Sequence, residues 1–198
     1  MRINVIGTGN AGSALAGRLS GAGHEVTTSN TATPVAEAAR QAAEAEMTFL
    51  AVPFTATLAP EVRAALAGRI VVDATNPLSP DFLSLTVGHT TSGGELVAEA
   101  LPGARVVKGF NTVLAAATAA ASYEGRPLLL LLAGDDREAV KAVAELGTQL
   151  GFDAVDAGPL ATARYLEPLA EVLIHLAYAQ GLGPEIGLAL LRGGDAAP

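Results

Sequence analysis

Ile3-Asn4-Val5-Ile6-Gly7-Thr8-Gly9-Asn10-Ala11-Gly12 is the stretch on which the reading of this chain turns. A short strand-forming run enters a G-x-G-x-x-G, and the residues beyond it, with Leu15 and Leu19 four apart, carry the spacing of a helix over Ala11–Ala22. A glycine-rich string alone is weak, because many loops carry one. Set between a strand and a helix at the head of a β-α-β pattern, it has a physical meaning. Gly7 makes the tight turn, Gly9 lets backbone approach a pyrophosphate, and Gly12 lets the helix close on the strand. The free N–H groups and the dipole of the helix then face the phosphates. Gly7, Thr8, Gly9, Asn10, Ala11 and Gly12 are therefore expected to hold a dinucleotide.

Outward from this stretch, strand-like and Ala-rich helical segments alternate along nearly the whole chain. Arg2–Ile6, Glu25–Ser29, Met47–Val52, Arg69–Ala74, Ala104–Lys108, Arg126–Gly134 and Phe152–Asp156 read as strands. Pro34–Ala45, Ala56–Leu66, Gly94–Leu101, Leu114–Ala121, Arg137–Leu150 and Ala161–Gln180 read as helices. Strands this apolar, alternating with helices, belong to a sheet covered on both faces. The expected fold is α/β: a Rossmann-type, doubly wound, mostly parallel sheet with a small C-terminal α/β extension. We divide it into a nucleotide-binding domain over 1–122 and a C-terminal portion over 123–198 that packs on the same sheet and completes the acceptor site. Leu78 to Gly93 is a long irregular segment of the kind that serves as a lid or binding loop.

In such sheets ligands bind beyond the carboxyl ends of the strands, at the topological switch point. That rule selects residues 7–12, 29–34, 53–57, 75–79 and 109–113. Val52 and Pro53 close the third strand, and Asn76 and Pro77 follow the fourth, so all four join the candidate cofactor site. The second strand ends Thr27-Thr28-Ser29-Asn30-Thr31, without the acid that an NAD site places there for the ribose hydroxyls. Ser29, Asn30 and Thr31 present small polar groups suited to a 2′-phosphate, which favours NADP. The plainer reading is that Ser29 and Asn30 cap the turn. Arg40 is the nearest later cation.

With 198 residues, half of them apolar, the chain has material for one sizeable core. A net charge of −8 speaks against a nucleic-acid surface, and zero cysteines exclude disulfides, thiol nucleophiles and Cys-bound metal. No apolar stretch reaches the ~20 residues of a membrane span, and the N-terminus lacks the grammar of a signal peptide, so a cytoplasmic protein without membrane contact is expected. Asp135-Asp136 reads as a helix cap rather than a metal site, and no metal is expected. His24 reads as structural, His89 as a loop histidine within reach of substrate, and His175 as a core or interface residue. Lys108 reads either as an exposed strand-end charge or as a phosphate or substrate ligand.

With these motifs assembled, the chain resembles the NADPH-dependent coenzyme F420 reductase family, which shares its nucleotide domain with membrane ferric reductases. The resemblance rests on Val5–Gly12, Gly23-His24-Glu25-Val26, Thr75-Asn76-Pro77-Leu78, Val106–Thr112, Ala133-Gly134-Asp135-Asp136, Asp156–Leu160 and Ala163–Glu167. It implies NADP as cofactor and hydride exchange with a deazaflavin, coenzyme F420, as co-substrate. By that resemblance Thr8 and Asn10 lie in the phosphate loop, and Ser29 meets the 2′-phosphate. Asn111 and Val113 line the nicotinamide and deazaflavin site, and Arg164 lies beside it. Two positions depart from the family pattern: Asn30 stands where an arginine is common, and Pro168 where a polar residue is expected.

Hydride transfer between two rings needs alignment and exclusion of water more than an acid or base. No Ser-His-Asp set, carboxylate pair or histidine cluster stands out in the selected loops, and we expect catalysis without a side-chain acid or base. Lys108 and Arg164 are expected to supply local attraction for anionic ligands in an acidic chain. Two other readings stay open: reduction of a flavin, quinone or ferric acceptor, and a regulatory protein that binds NADP without turnover. Leu166, Leu169, Val172, Leu173, Leu176 and Ala177 follow helical spacing on the last helix, where core and a homodimer interface are both expected.

Overall fold

In the computed structural model, which describes residues 1–193, every residue of β3 (Met47–Leu50) and β4 (Ile70–Asp73) is buried. Such runs sit in mid-sheet because both of their faces are covered. β1 (Arg2–Ile6), β2 (Glu25–Ser29), β3, β4 and β5 (Arg105–Lys108) are all parallel, in the order β2-β1-β3-β4-β5. The register lines up Ser29, Ile6, Leu50, Asp73 and Lys108 in one row at the carboxyl edge. The chain reverses direction across the sheet between β1 and β3, so the glycine loop stands at the switch point.

Strand side chains alternate between two cores. Leu15 and Leu19 of α1 (Asn10–Gly21), Ala117 of α5 (Ala115–Ala120) and Val140 and Val143 of α6 (Arg137–Gln149) pack on Ile3, Val5, Phe49 and Val107. Ala38 and Ala42 of α2 (Val35–Glu44), Val62 of α3 (Pro60–Ala65) and Leu101, just past α4 (Gly93–Ala100), pack on Ile6, Leu50, Val71 and Val106. This is the doubly wound α/β architecture expected from the sequence.

A hairpin of β6 (Ser122–Tyr123) and β7 (Arg126–Pro127) leads into β8 (Leu129–Gly134), which pairs antiparallel with β5. β9 (Asp153–Asp156) pairs parallel with β8 and completes seven strands. A 3₁₀ turn at Leu160–Thr162 opens α7 (Ala163–Ile174), which ends in a π-turn over His175–Ala179. The tail then returns to the start of β8 and β9, where Leu129 N donates to Leu188 O and Arg192 pairs with Asp153. Residues 194–198 of the C-terminal portion lie outside the described residues. Among those described, no helix is long and apolar enough to cross a membrane.

Two elements differ from expectation. The helix expected over Ala56–Leu66 is only Pro60–Ala65, because a residue before proline is pushed to extended backbone, and Ala59 takes ψ 147°. The single strand expected over Arg126–Gly134 is interrupted at Leu128. Glu124 and Gly125, with φ of 51° and 74°, form a tight turn of positive φ that folds Arg126–Pro127 back on Ser122–Tyr123.

Candidate active site

Gly7 takes φ 115°, and a Cβ there would run into the Ala51 carbonyl; a Cβ on Gly12 would run into the carbonyl of Gly7. These two glycines let the loop fold against β3 and α1 against the loop. At Gly9, by contrast, a Cβ would meet nothing within 4 Å, so the space above it is open to a ligand. The N-terminus of α1 has neither a side-chain cap nor an acid in its first turn. Those of α4 and α6 are capped by Ser92 and Asp136. The open terminus, with exposed Thr8, Gly9, Asn10 and Ala11, suits a pyrophosphate.

Beside it, Ser29 anchors the loop through its carbonyl, which accepts from Gly7 N at 2.8 Å. Its hydroxyl is buried without a hydrogen-bond partner. Asn30 ties the turn to the loop: Oδ1 accepts from Ala32 N at 2.8 Å, and Nδ2 donates one proton to Thr8 Oγ1 at 3.0 Å. Ser29, Asn30, Thr31, Thr33, Val52 and Thr57 help to line a cavity of about 210 Å³. An unpartnered hydroxyl, open space over Gly9 and an uncapped helix are the features an adenosine diphosphate moiety needs, and the residues present fit one.

At the ends of β4 and β5 the chemistry changes. Lys108 is wholly buried, and its Nζ lies 2.9 Å from Asp73 Oδ2, 2.9 Å from Glu167 Oε1 and 2.6 Å from Thr75 O. Glu167 Oε2 and Oε1 also accept from the N–H groups of Gly93 and Gly94, at 2.8 and 2.9 Å. Three residues further along both strands, Asn76 Nδ2 donates to Asn111 O at 3.0 Å, and Asn111 Nδ2 donates to Asn76 Oδ1 and Leu166 O. Phe110 turns Asn111 into this position through left-handed backbone, φ 63°. For a bulky residue that conformation costs about 1–2 kcal/mol, and edge-on packing on Phe49 and Phe152 holds it.

Beyond the asparagines, Leu85–Thr90, Arg164, Tyr165 and Pro168 surround a cleft of about 790 Å³. Arg164 donates to both oxygens of Glu95, at 2.8 and 2.6 Å. Glu95 also accepts from Ser92 Oγ; with Arg164 the main cause, its carboxyl is held below the usual range. Pro168 brings no N–H to the Arg164 carbonyl one turn earlier, so that oxygen lacks its helical donor.

The structure brings Gly7–Gly12, Ser29, Asn30, Thr31, Val52, Pro53, Asn76, Pro77, Asn111 and Val113 to one edge of the sheet, with Arg164 across from them. Several expectations are corrected. Lys108 is neither an exposed strand-end charge nor a free anion ligand, because two carboxylates and a carbonyl consume its donors. Arg164 lines the cleft and is paired with Glu95. Arg40 is bound to Glu44 on the surface of α2, and no arginine or lysine lines the Ser29 cavity among the described residues. His175 is exposed, not in the core. Asp136 caps α6 by accepting from Ala139 N, as expected. Asp73 and Glu167 escaped the sequence reading, since an isolated acid on an apolar strand or helix carries no motif. Among the described residues no cluster of His, Asp or Glu is able to hold a metal ion.

A Rossmann sheet with an open phosphate loop at its switch point defines a dinucleotide-binding protein. The family described as NADP oxidoreductase, coenzyme F420-dependent, matches residues 2–77. The F420-dependent NADP reductase of Methanothermobacter marburgensis is 31% identical over 211 residues, covering 89% of this chain and 92% of that protein. The chain belongs to this family and is an NADP-dependent oxidoreductase. A solved structure of a proposed F420-dependent NADP reductase from Arthrobacter sp. FB24 superposes with a TM-score of 0.85 at 32% identity, covering 97% of this chain and all of that one. The metalloreductase STEAP3 of Rattus norvegicus is 38% identical over 104 residues, 52% of this chain. The chain spans about one fifth of that relative's length (20%).

Proposed function

We propose that the protein transfers a hydride between NADP(H) and the deazaflavin coenzyme F420, acting in the cytoplasm as a homodimer. The observation that carries this reading is the cleft of about 790 Å³ lined by Leu85–Thr90, Arg164, Tyr165 and Pro168, which Thr86 ties to Pro77, the neighbour of Asn76. It is large enough for a flat ring system, and on its wall Arg164 is paired with Glu95 while His89 brings an imidazole. Direct hydride exchange, in which alignment and dryness do the catalytic work, needs no acid–base pair from the cleft.

The N–H groups of the Gly7–Gly12 loop and α1 would hold the pyrophosphate, and Ser29, Asn30 and Thr31 the 2′-phosphate side. Val52, Pro53, Asn76 and Pro77 would border the ribose and nicotinamide, with Asn111 and Val113 at the acceptor edge. The bound nicotinamide supplies the hydride. Arg164, held by Glu95, presents a fixed cation toward an acidic acceptor, and the segment 78–92 shields the cleft from water. Exposed Tyr165, Val172, Tyr178 and Leu182 supply an apolar face for a second copy, which analytical ultracentrifugation would detect.

The test of the reaction is the visible absorbance of oxidised F420 mixed with NADPH and the protein. Bleaching is expected; none above background at saturating NADPH would overturn the reading. A second reading, reduction of a flavin, quinone or ferric chelate, is supported by Pro168 and by the likeness to a metalloreductase. Parallel assays with FMN and ferric citrate separate it. Tight NADPH binding with every acceptor left unreduced would instead mark a regulatory protein.

A further inference from the structure

We infer that Glu167 is a positioning residue for hydride transfer, tying the wall of the acceptor cleft to the nicotinamide edge through Lys108 and the N-terminus of α4. The ties between β4, β5 and α7 form two storeys. Below, Asp73 and Glu167 both hold Lys108 Nζ at 2.9 Å. Above, Asn76 and Asn111 bond one another, and Leu166 O accepts from Asn111 Nδ2 at 3.2 Å. Each upper asparagine lies three residues beyond a lower ion on the same strand end, and Leu166 and Glu167 are neighbours on α7. One helix thus braces both storeys. The same carboxylate receives Gly93 N and Gly94 N, fixing the point where segment 78–92 enters α4.

The packing is built around these ions. A Cβ on Gly93 would sit 3.0 Å from Glu167 Oε1, and one on Gly94 would sit 3.3 Å from Lys108 Cδ. Buried ion pairs are a poor source of stability, because desolvation offsets their attraction; what they specify is one arrangement. Here that arrangement sets the distance from Asn76 and Asn111 to Arg164, which is the distance a ring-to-ring transfer depends on. A misplacement of about 1 Å costs on the order of 100-fold in rate.

This inference rests on the hydride-transfer reading, and the test uses whichever acceptor the wild-type protein reduces. Glu167→Gln, which removes the charge at nearly constant shape, is expected to bind NADPH within about threefold of wild type. Its kcat per bound nucleotide should fall roughly 10–100-fold, and the primary isotope effect with 4-deuterated NADPH should rise. In the ligand-free variant, hydrogen exchange of peptides spanning 78–94 should speed up while the Gly7–Gly12 loop stays protected. If Glu167→Gln does not fold, Glu167→Asp, which keeps the charge and shortens its reach, carries the same measurements. Unchanged kcat, isotope effect and exchange in a folded variant would overturn the inference. Absence of turnover in the wild-type protein would instead overturn the proposed reaction, leaving the exchange measurement to judge the ties themselves.

Discussion

The switch point between β1 and β3 and the strand ends of β4 and β5 lie on one edge of one sheet, yet they are built differently. At the phosphate loop the working groups are backbone N–H, and the side chains matter by being absent at Gly7, Gly9 and Gly12. At β4 and β5 the working groups are side chains, and the backbone is held by them: Lys108 between two carboxylates, Asn76 against Asn111. The first region leaves its donors open for a ligand. The second commits the donors of Lys108 and of both asparagines to its own walls, leaving only Asn111 Oδ1 and Thr112 Oγ1 of these strand ends buried without a partner among the described residues. One sheet edge thus divides into a half that binds through open backbone donors and a half that positions through side chains bonded to one another.

The largest effect that would break this comparison comes from Lys108→Met. Asp73 and Glu167 would face each other without a cation, and removing one member of a buried ion set costs about 3–5 kcal/mol. Chemical denaturation should show that loss, and a variant of wild-type stability would mean that the wall is not held by its ions. Gly12→Ala acts on the other half. With its Cβ against the Gly7 carbonyl, the loop and α1 must part, and NADPH affinity should drop about 100-fold or more, ~2.7 kcal/mol. Titration calorimetry measures that directly, and unchanged affinity would show that the loop does not cradle phosphate.

What could be read beforehand follows the same division. The glycine loop, the mostly parallel sheet and the cap of α6 were legible, because backbone geometry dictates residue type at fixed spacing. The Asp73–Lys108–Glu167 set was not: its members lie 35 and 59 positions apart in the chain, and only folding brings them together. Lys108 looked like a surface charge because the end of a strand is usually wet. Here α4 and α7 close over it. The shortened helix at Pro60 and the Glu124-Gly125 turn were missed for local reasons, since the restriction before proline and positive φ at a glutamate are easy to pass over in an Ala-rich text.

Two smaller effects sharpen the comparison. Ser29→Asp should weaken NADPH about tenfold more than NADH, ~1.4 kcal/mol of selectivity, because the new carboxylate opposes only the 2′-phosphate. Equal losses for both nucleotides would mean that the phosphate is not read at Ser29. On the wall, Arg164 is the first cause that holds Glu95 below the usual carboxylate range. The stability from that pair is fully present above the ordinary glutamate value, about 4.3, and is lost as pH falls through the lower folded value. The melting-temperature gap between wild type and Glu95→Gln should therefore be small, since both groups are partly solvated, and should close on acidification. A gap that widens toward low pH would reverse the assignment.

In the proposed reaction a hydride passes directly between two bound rings across this edge. Single-turnover reaction of oxidised F420 with NADPH deuterated at either face of C4 tests it in one step. One of the two labelled forms is expected to deliver its deuterium to the reduced deazaflavin without loss to water. Reduction with the label washed out into solvent, or no reduction at all, would contradict it.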